Sequence, residues 1–358
     1  MAIRINALLT GNLSLMATIA MAQKPLSRAG FRLRTRDHPP MPSARSAFAV
    51  QTVAPSAPAG SLVSVVMPMF NAALTVSRAL DSVRAQTHTE WEAICVDDAS
   101  TDATVARVAA IDDPRIRVIR LDVSVGPGAA RNVGIAAAKG ALVAFLDADD
   151  EWLPDKLLRQ VALFEADAGL ALAVSDMHVK TVDGRDSTSV YTRQTPVPGA
   201  EAWKTLLASS FVATSAAMTR RALLESVGGF DPKLITGEDQ DLFIRLAMAG
   251  RVQTLPEALG IYHWMPHSYS TGHAARQAAD VIAMVRAHLR RLGDRLSPAE
   301  RRAILGRRFE RLGANLMDSG ARFRGAWLLL RAAAAGRRPL RNLVAIPRRL
   351  VRGTGTRR

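Results

Sequence analysis

One cysteine, Cys95, is all the sulfhydryl chemistry that a chain of 358 residues carries. A lone thiol closes no disulfide within a chain, so a cysteine-stapled scaffold is excluded and a reducing compartment is the fitting one. Cys95 lies in the apolar run 91–96, where a thiol reads as a buried structural group rather than a nucleophile. The chain also lacks any run of 18 uncharged apolar residues, so no transmembrane helix is expected. The mildly apolar start, residues 5–22, is broken by Asn6, Thr10, Asn12 and Ser14. It makes a poor signal peptide, although Ala20-Met21-Ala22 faintly resembles a cleavage site. No internal repeat is visible.

Positive charge is what the chain has in excess, a net +15, and it is unevenly spread. Residues 1–60 hold 7 Lys/Arg against 1 acid, 61–275 hold 19 against 26, and 276–358 hold 21 Arg against 5 acids. The acidic middle excludes a nucleic-acid-binding core. The basic flanks suggest an anionic partner, and a membrane surface is the natural one. Residues 1–60, rich in Pro, Ser, Ala and Arg, read as a disordered linker extension. Residues 61–272 read as the globular domain and 273–358 as a basic helical C-terminal region.

Within the globular part, apolar runs at 62–67, 91–96, 116–121 and 141–146 read as short strands. Helical patterns separate them: about 72–86, capped by Asn71; about 103–111, capped by Ser100 or Thr101; and about 129–139. Such alternation means βαβ units and a mostly parallel sheet. A helix from Pro154 to about 166 follows, with further short strands at 170–174, 177–182, 189–192, 213–218 and 258–262. Helices are expected at 199–209 and 238–250, and throughout the region beyond His273. Ser297-Pro298-Ala299-Glu300 is a capping box with proline at the first helical position.

The strand at 141–146 runs straight into Asp147, Asp149 and Asp150. Residues i and i+2 of an extended chain project to the same side, so Asp147 and Asp149 can face one site. Two hard oxygen ligands there suit Mg²⁺ or Mn²⁺, especially an ion that already carries phosphates. A polar turn before the next helix would also use Asp. Two more acidic clusters, Asp97/Asp98 after the second strand and Glu238/Asp239/Asp241 at a helix start, strengthen the first reading. Clustered carboxylates repel unless a cation or hydrogen bonds compensate, and open α/β sheets bind ligands beyond the carboxyl ends of their strands.

Six segments together resemble the family 2 glycosyltransferases, inverting enzymes with a GT-A (Rossmann-like) fold. They are 65–71 (VVMPMFN), 96–102 (VDDASTD), 128–134 (GAARNVG), 145–150 (FLDADD), 228–231 (GGFD) and 237–242 (GEDQDL), in the family's order, within residues 62–272. The resemblance implies a nucleotide-sugar donor, UDP-linked, and transfer to a saccharide or lipid-linked acceptor in cell-surface polysaccharide or glycolipid synthesis. It implies that Asp98, with Asp97 beside it, reads the nucleobase and that Arg131 sits near the base or diphosphate. It gives Asp147 the ribose and Asp149 the metal, together the family's D-x-D pair. Asp239 matches the catalytic base, Glu238 an acceptor contact, and Asp150 and Asp241 structural roles.

One segment departs from the family pattern. Residues 262–270 place Met265 where the family often has His and His263 where it has Arg, leaving His263 or His267 as substitutes. A sugar-phosphate nucleotidyltransferase is a weak alternative, because Pro68-Met69-Phe70-Asn71 lacks the Gly-rich, Lys-bearing signature such enzymes carry after the first strand. A non-catalytic nucleotide-sugar-binding protein is another, and only the missing His favours it. Residues 276–318 read as an ordinary helical cap on the domain. Residues 320–358 combine apolar stretches with many arginines, the composition of an interfacial segment. They would hold a cytoplasmic enzyme on the inner face of the membrane.

Overall fold

The computed structural model describes residues 62–181, 186–264 and 274–337. The expectations for residues 1–60 and for His267, Met265 and 338–358 lie outside the described residues.

The chain opens with β1 (Val63–Met69), α1 (Val76–Arg84), β2 (Trp91–Asp97), α2 (Thr104–Ala109), β3 (Ile116–Arg120), α3 (Pro127–Ala137) and β4 (Leu142–Phe145). It continues through β5 (Glu151–Trp152), α4 (Lys156–Ala166), β6 (Leu170–Thr181), β7 (Asp186–Ser189), α5 (Val190–Arg193) and α6 (Ala202–Ala208). Then come β8 (Ala217–Arg220), α7 (Arg221–Val227), α8 (Glu238–Ala249) and β9 (Arg251–Trp264). Among the described residues three C-terminal helices follow, α9 (Ala274–Leu292), α10 (Pro298–Asp318) and α11 (Arg322–Ala334).

The nine strands among the described residues join one sheet, ordered β3-β2-β1-β4-β8-β6-β9-β5 with β7 beside β6. β1, β2, β3 and β4 run parallel. β8 is antiparallel to both β4 and β6, so β6, and β9 parallel to it, return to the direction of β4. The carboxyl ends of β1, β2, β4, β6 and β9 therefore share one edge, the predicted place for a site.

Helices cover both faces, which is why β1 and β2 are buried along almost their whole length. On one face Val76, Leu80 and Val83 of α1 and Leu157 and Phe164 of α4 pack against Val65, Met67 and Leu142. On the other, α3, α6 and α8 pack around Val66, Val96 and Phe145. Gly134 lets α3 lie close to the sheet, since a Cβ there would come 2.6 Å from Val66 Cγ1. Val281, Met284, Val285 and Leu289 of α9 enter this second core, so the C-terminal helices are built onto the sheet domain. The expected capping box is present: Ser297 accepts from the Glu300 amide, and Glu300 accepts from the Ser297 amide.

Several local expectations need correction. α1 starts at Val76 rather than 72, and Asn71, with φ 49°, caps nothing. Its Oδ1 instead accepts from the Thr101 amide at 2.9 Å, and its own amide donates to Ser100 Oγ at 2.9 Å, tying two strand-end loops together. Ser100 and Thr101 are thereby used, and α2 begins three residues beyond Thr101. Residues 190–193 form a helical turn rather than a strand, because Ser189 Oγ accepts from the Thr192 amide. β6 is one long strand where two short ones were expected, and β9 starts seven residues before 258. The short strand β5, which pairs with β9, was not anticipated.

Candidate active site

A cleft of about 570 Å³ opens at the carboxyl edge of the sheet. Asp147, Asp149 and Asp150 line it from the end of β4, and Glu238 and Asp239 from the first turn of α8. Arg131 of α3 lies between the two acidic groups. Its Nη2 donates to Asp147 Oδ1 at 2.5 Å and its Nη1 to Glu238 Oε1 at 3.2 Å. Arg131 is only 4% exposed, so the surface ion pair that a helix arginine usually makes is not what forms here. Burial opposes its charge, but Asp147 and Glu238 hold the guanidinium above its ordinary pKa.

The sequence motifs explain this meeting point. Gly128, on the same helix as Arg131, leaves room for Glu238: a Cβ there would lie 2.8 Å from Glu238 Cγ. Asn132 clamps the turn before α8, its Nδ2 donating to Phe230 O at 2.8 Å and its Oδ1 accepting from the Phe230 amide at 2.8 Å. Gly229, at φ +64°, passes so close that a Cβ would meet Asn132 Oδ1 at 2.6 Å. Phe230 is thus fixed in the core, edge-on to Phe145 with centroids 5.4 Å apart and beneath the Arg131 guanidinium. GAARN, GGFD and the strand end are one packed unit.

The three aspartates after β4 are not equivalent. Asp150 is buried and satisfied: Oδ2 accepts from Ser215 Oγ at 2.6 Å and Oδ1 from the His263 amide at 3.1 Å. Ser215 Oγ also accepts from the Asp147 amide at 3.0 Å, so one serine, in a short turn before β8, positions the strand end. Sequence reasoning passed over Ser215, which carries no motif signal. Asp149 and Asp147 stay half-buried and open to the cleft. Burial and then the Asp147 charge push the Asp149 carboxyl up to about 6. Burial, with Asp149 and Asp147 adding to it, lifts Asp150 well above the carboxylate range.

At α8, burial and then Asp239 raise Glu238 to about 7, against the pull of Arg131. Asp239 is also raised, by burial first, with the Gln240 amide and Arg131 working the other way. Asp241 points away from the cleft, paired with His288 Nε2 at 2.8 Å and Arg245 at 2.7 Å, the structural role expected for it.

Asp97 and Asp98 sit at the end of β2, two strands along from β4, and do not line the cleft. Asp98 is saturated by the loop leading to α3, accepting from Ser124 Oγ at 2.8 Å, the Val125 amide at 2.7 Å and the Gly126 amide at 2.9 Å. Asp97 Oδ2 is buried and receives no hydrogen bond, with Arg120 Nε 3.6 Å away. His263 is not among the residues that line the cleft. Its Nε2 is committed to Glu151 Oε1 at 2.6 Å, a carboxylate that also pairs with Arg78 at 3.0 Å.

Among the described residues no three His, Cys, Asp or Glu side chains converge into a metal cage. Asp147 and Asp149 fit a cation that completes its shell with phosphate oxygens and water, which is how Mg²⁺ is commonly held. Arg131 already pairs with Asp147, so Asp149, half-buried in the cleft, is the carboxylate that an added ion would compensate.

Sequence reasoning also missed that α10 lines the cleft, through Arg308, Arg311, Leu312 and Asn315. These residues follow helical i, i+3, i+4, i+7 spacing and so share one face. The pattern was visible in the sequence, but not the fact that this face meets the cleft.

A family model described as "Glycosyl transferase family 2" matches residues 64–228. That interval ends before Glu238 and Asp239. The succinoglycan biosynthesis protein ExoO of Rhizobium meliloti is 39% identical over 238 residues, 64% of this chain and 68% of that protein. WfgD of Escherichia coli, named a UDP-Glc:alpha-D-GlcNAc-diphosphoundecaprenol beta-1,3-glucosyltransferase, is 39% identical over 102 residues, 28% of this chain and 40% of that protein. Among solved structures, S. aureus TarS 1-349 superposes with a TM-score of 0.55 at 21% identity, over 80% of this chain and 90% of that one. The mannosyltransferase PcManGT from Pyrobaculum calidifontis, solved with GDP-Man and Mn²⁺, gives a TM-score of 0.56 at 24% identity, over 80% and 79%.

Proposed function

The chain belongs to glycosyl transferase family 2, and from that premise we propose that it moves a sugar from a UDP-linked donor to a hydroxyl of a saccharide or lipid-linked acceptor, with inversion. Its fold is the GT-A arrangement. The observation that carries the reading is the meeting of Asp147 and Asp149 with Glu238 and Asp239 in one cleft, bridged by Arg131.

Asp147 and Asp149 would hold Mn²⁺ or Mg²⁺, which supplies charge stabilisation to a departing diphosphate. Arg131 keeps Asp147 turned to the cleft. Asp98 fixes the 124–126 loop, against which the nucleoside would lie. Asp239 takes the proton of the acceptor hydroxyl, and Glu238 orients that acceptor. The hydroxyl attacks the anomeric carbon from the face opposite the leaving diphosphate, so a single displacement inverts the centre. The test is transfer by purified protein from a panel of nucleotide sugars, with Mn²⁺ and with EDTA.

An acceptor on a lipid carrier calls for a cytoplasmic enzyme attached to the inner face of the membrane, and α11 supplies the contact. No helix among the described residues is long and apolar enough to cross a membrane. Phe323, Trp327 and Leu330, spaced to share one face of α11, are 89%, 55% and 48% exposed. Arg322, Arg324 and Arg331 flank them. Each arginine near an anionic leaflet contributes roughly 1 kcal/mol, and the aromatic side chains suit the interface. The protein is expected to co-sediment with vesicles containing phosphatidylglycerol, less so as salt rises. A Phe323→Ala/Trp327→Ala variant should lose most of that binding. Attachment indifferent to lipid charge, salt and both substitutions would reject the idea.

A further inference from the structure

The cleft is lined by groups of both charges. Asp147, Asp149, Glu238 and Asp239 line it, with Arg131 already spent between two of them, and so do Arg308 and Arg311 of α10. Neither α10 arginine has an acidic partner within ion-pair distance among the described residues. Arg308 is 3% exposed and is held by neutral oxygens. It donates to Leu207 O at 2.6 Å, to Leu206 O, and to Gln240 Oε1 at 2.8 Å. It braces α10 against α6 and against the residue that follows Asp239. Arg311, one turn on, is half-buried, faces the cleft, and has Arg307 as its charged neighbour. A half-buried cation with no counter-ion is costly, and an anionic ligand removes the cost.

We infer that Arg311 is a specificity residue for an anionic oxygen group on the acceptor, a phosphate of a lipid carrier or a carboxylate of an acidic saccharide. The inference rests on the proposed function, because Asp239 as base marks which side of the cleft the acceptor takes. Arg308 ties α10 to Gln240, next to that base, which places Arg311 on the acceptor side rather than at the donor diphosphate.

The test uses binding, with wild-type protein saturated by UDP and Mn²⁺ so that the donor side is occupied. Farnesyl diphosphate and trigalacturonic acid are titrated by calorimetry as probes of the two sources of negative charge. At least one is expected to bind, and Arg311→Gln to weaken it at least tenfold, while UDP affinity changes less than twofold. The better probe tells a lipid diphosphate from an acidic saccharide. Arg307→Gln, the same loss of charge at an exposed position outside the cleft, should leave probe binding unchanged. Three results would overturn the inference: neither probe binding the UDP-loaded protein, equal effects of the two substitutions, or a parallel loss of UDP affinity in Arg311→Gln. Failure of the wild type to bind UDP at all would instead remove the donor-site reading beneath it.

Discussion

Asp239→Asn should lower turnover at least about a hundredfold, the low end for loss of a general base, and leave UDP affinity nearly unchanged. The substitution keeps the shape of the side chain but removes its charge and with it the ability to take a proton. Asp239 sits at the start of α8, beside Glu238 rather than among the aspartates of β4, so the donor should hardly sense it. The pH profile gives an independent check. A base works as the carboxylate, and burial holds this carboxyl above its ordinary value. Turnover should therefore fall as pH drops through a limb above the usual Asp range near 4. Glu238, pushed up to about 7, interacts with it, so the limb belongs to the pair. Asp239→Asn should reduce that coupled limb to the single titration of Glu238. A large loss of UDP affinity in the variant would move Asp239 to the donor side.

Asp149→Asn should abolish transfer at ordinary Mn²⁺, a loss of at least about a hundredfold, because a bound cation contributes several kcal/mol of charge stabilisation and each 1.36 kcal/mol is tenfold. Stability should move the other way. The Asp149 carboxyl titrates at about 6 in the folded chain without metal, above its ordinary value. Its contribution to stability is present at low pH and is lost as pH rises through 6. At pH 8 without metal the Asn variant should therefore unfold no more easily than the wild type. Mn²⁺ should raise the unfolding temperature of the wild type and not of the variant. Full transfer by wild-type protein in EDTA would exclude the metal role.

The sequence made the first half of the sheet legible because β1, β2 and β4 are buried on both faces and read as short, mostly apolar runs, with Ser64 and Glu92 as polar interruptions. The acidic ends of β2 and β4 were legible for a related reason: an apolar run that stops in carboxylates marks where the strand ends. Loop chemistry was less so. Asn71 has the composition of a helix cap, yet its side chain serves a loop some thirty residues away, a contact no local pattern carries. Ser215 anchors both Asp147 and Asp150 from a turn with no signature at all. α10 shows the same limit on a larger scale. Its periodicity declared which residues share a face, but only the packing of α9 into the sheet core set that face, with Arg308 and Arg311, against the cleft.

The most direct test of an inverting nucleotide-sugar transferase is the anomeric configuration of its product. Purified protein, Mn²⁺, a panel of α-linked UDP-sugars and a lipid-linked saccharide acceptor would be incubated, and the new linkage read by proton NMR. A β-linked product that disappears in EDTA and in Asp239→Asn is the predicted result. Retention of the α configuration would contradict a single displacement driven by Asp239. Nucleotide-sugar binding with no transfer from any donor would mean a binding protein in place of an enzyme.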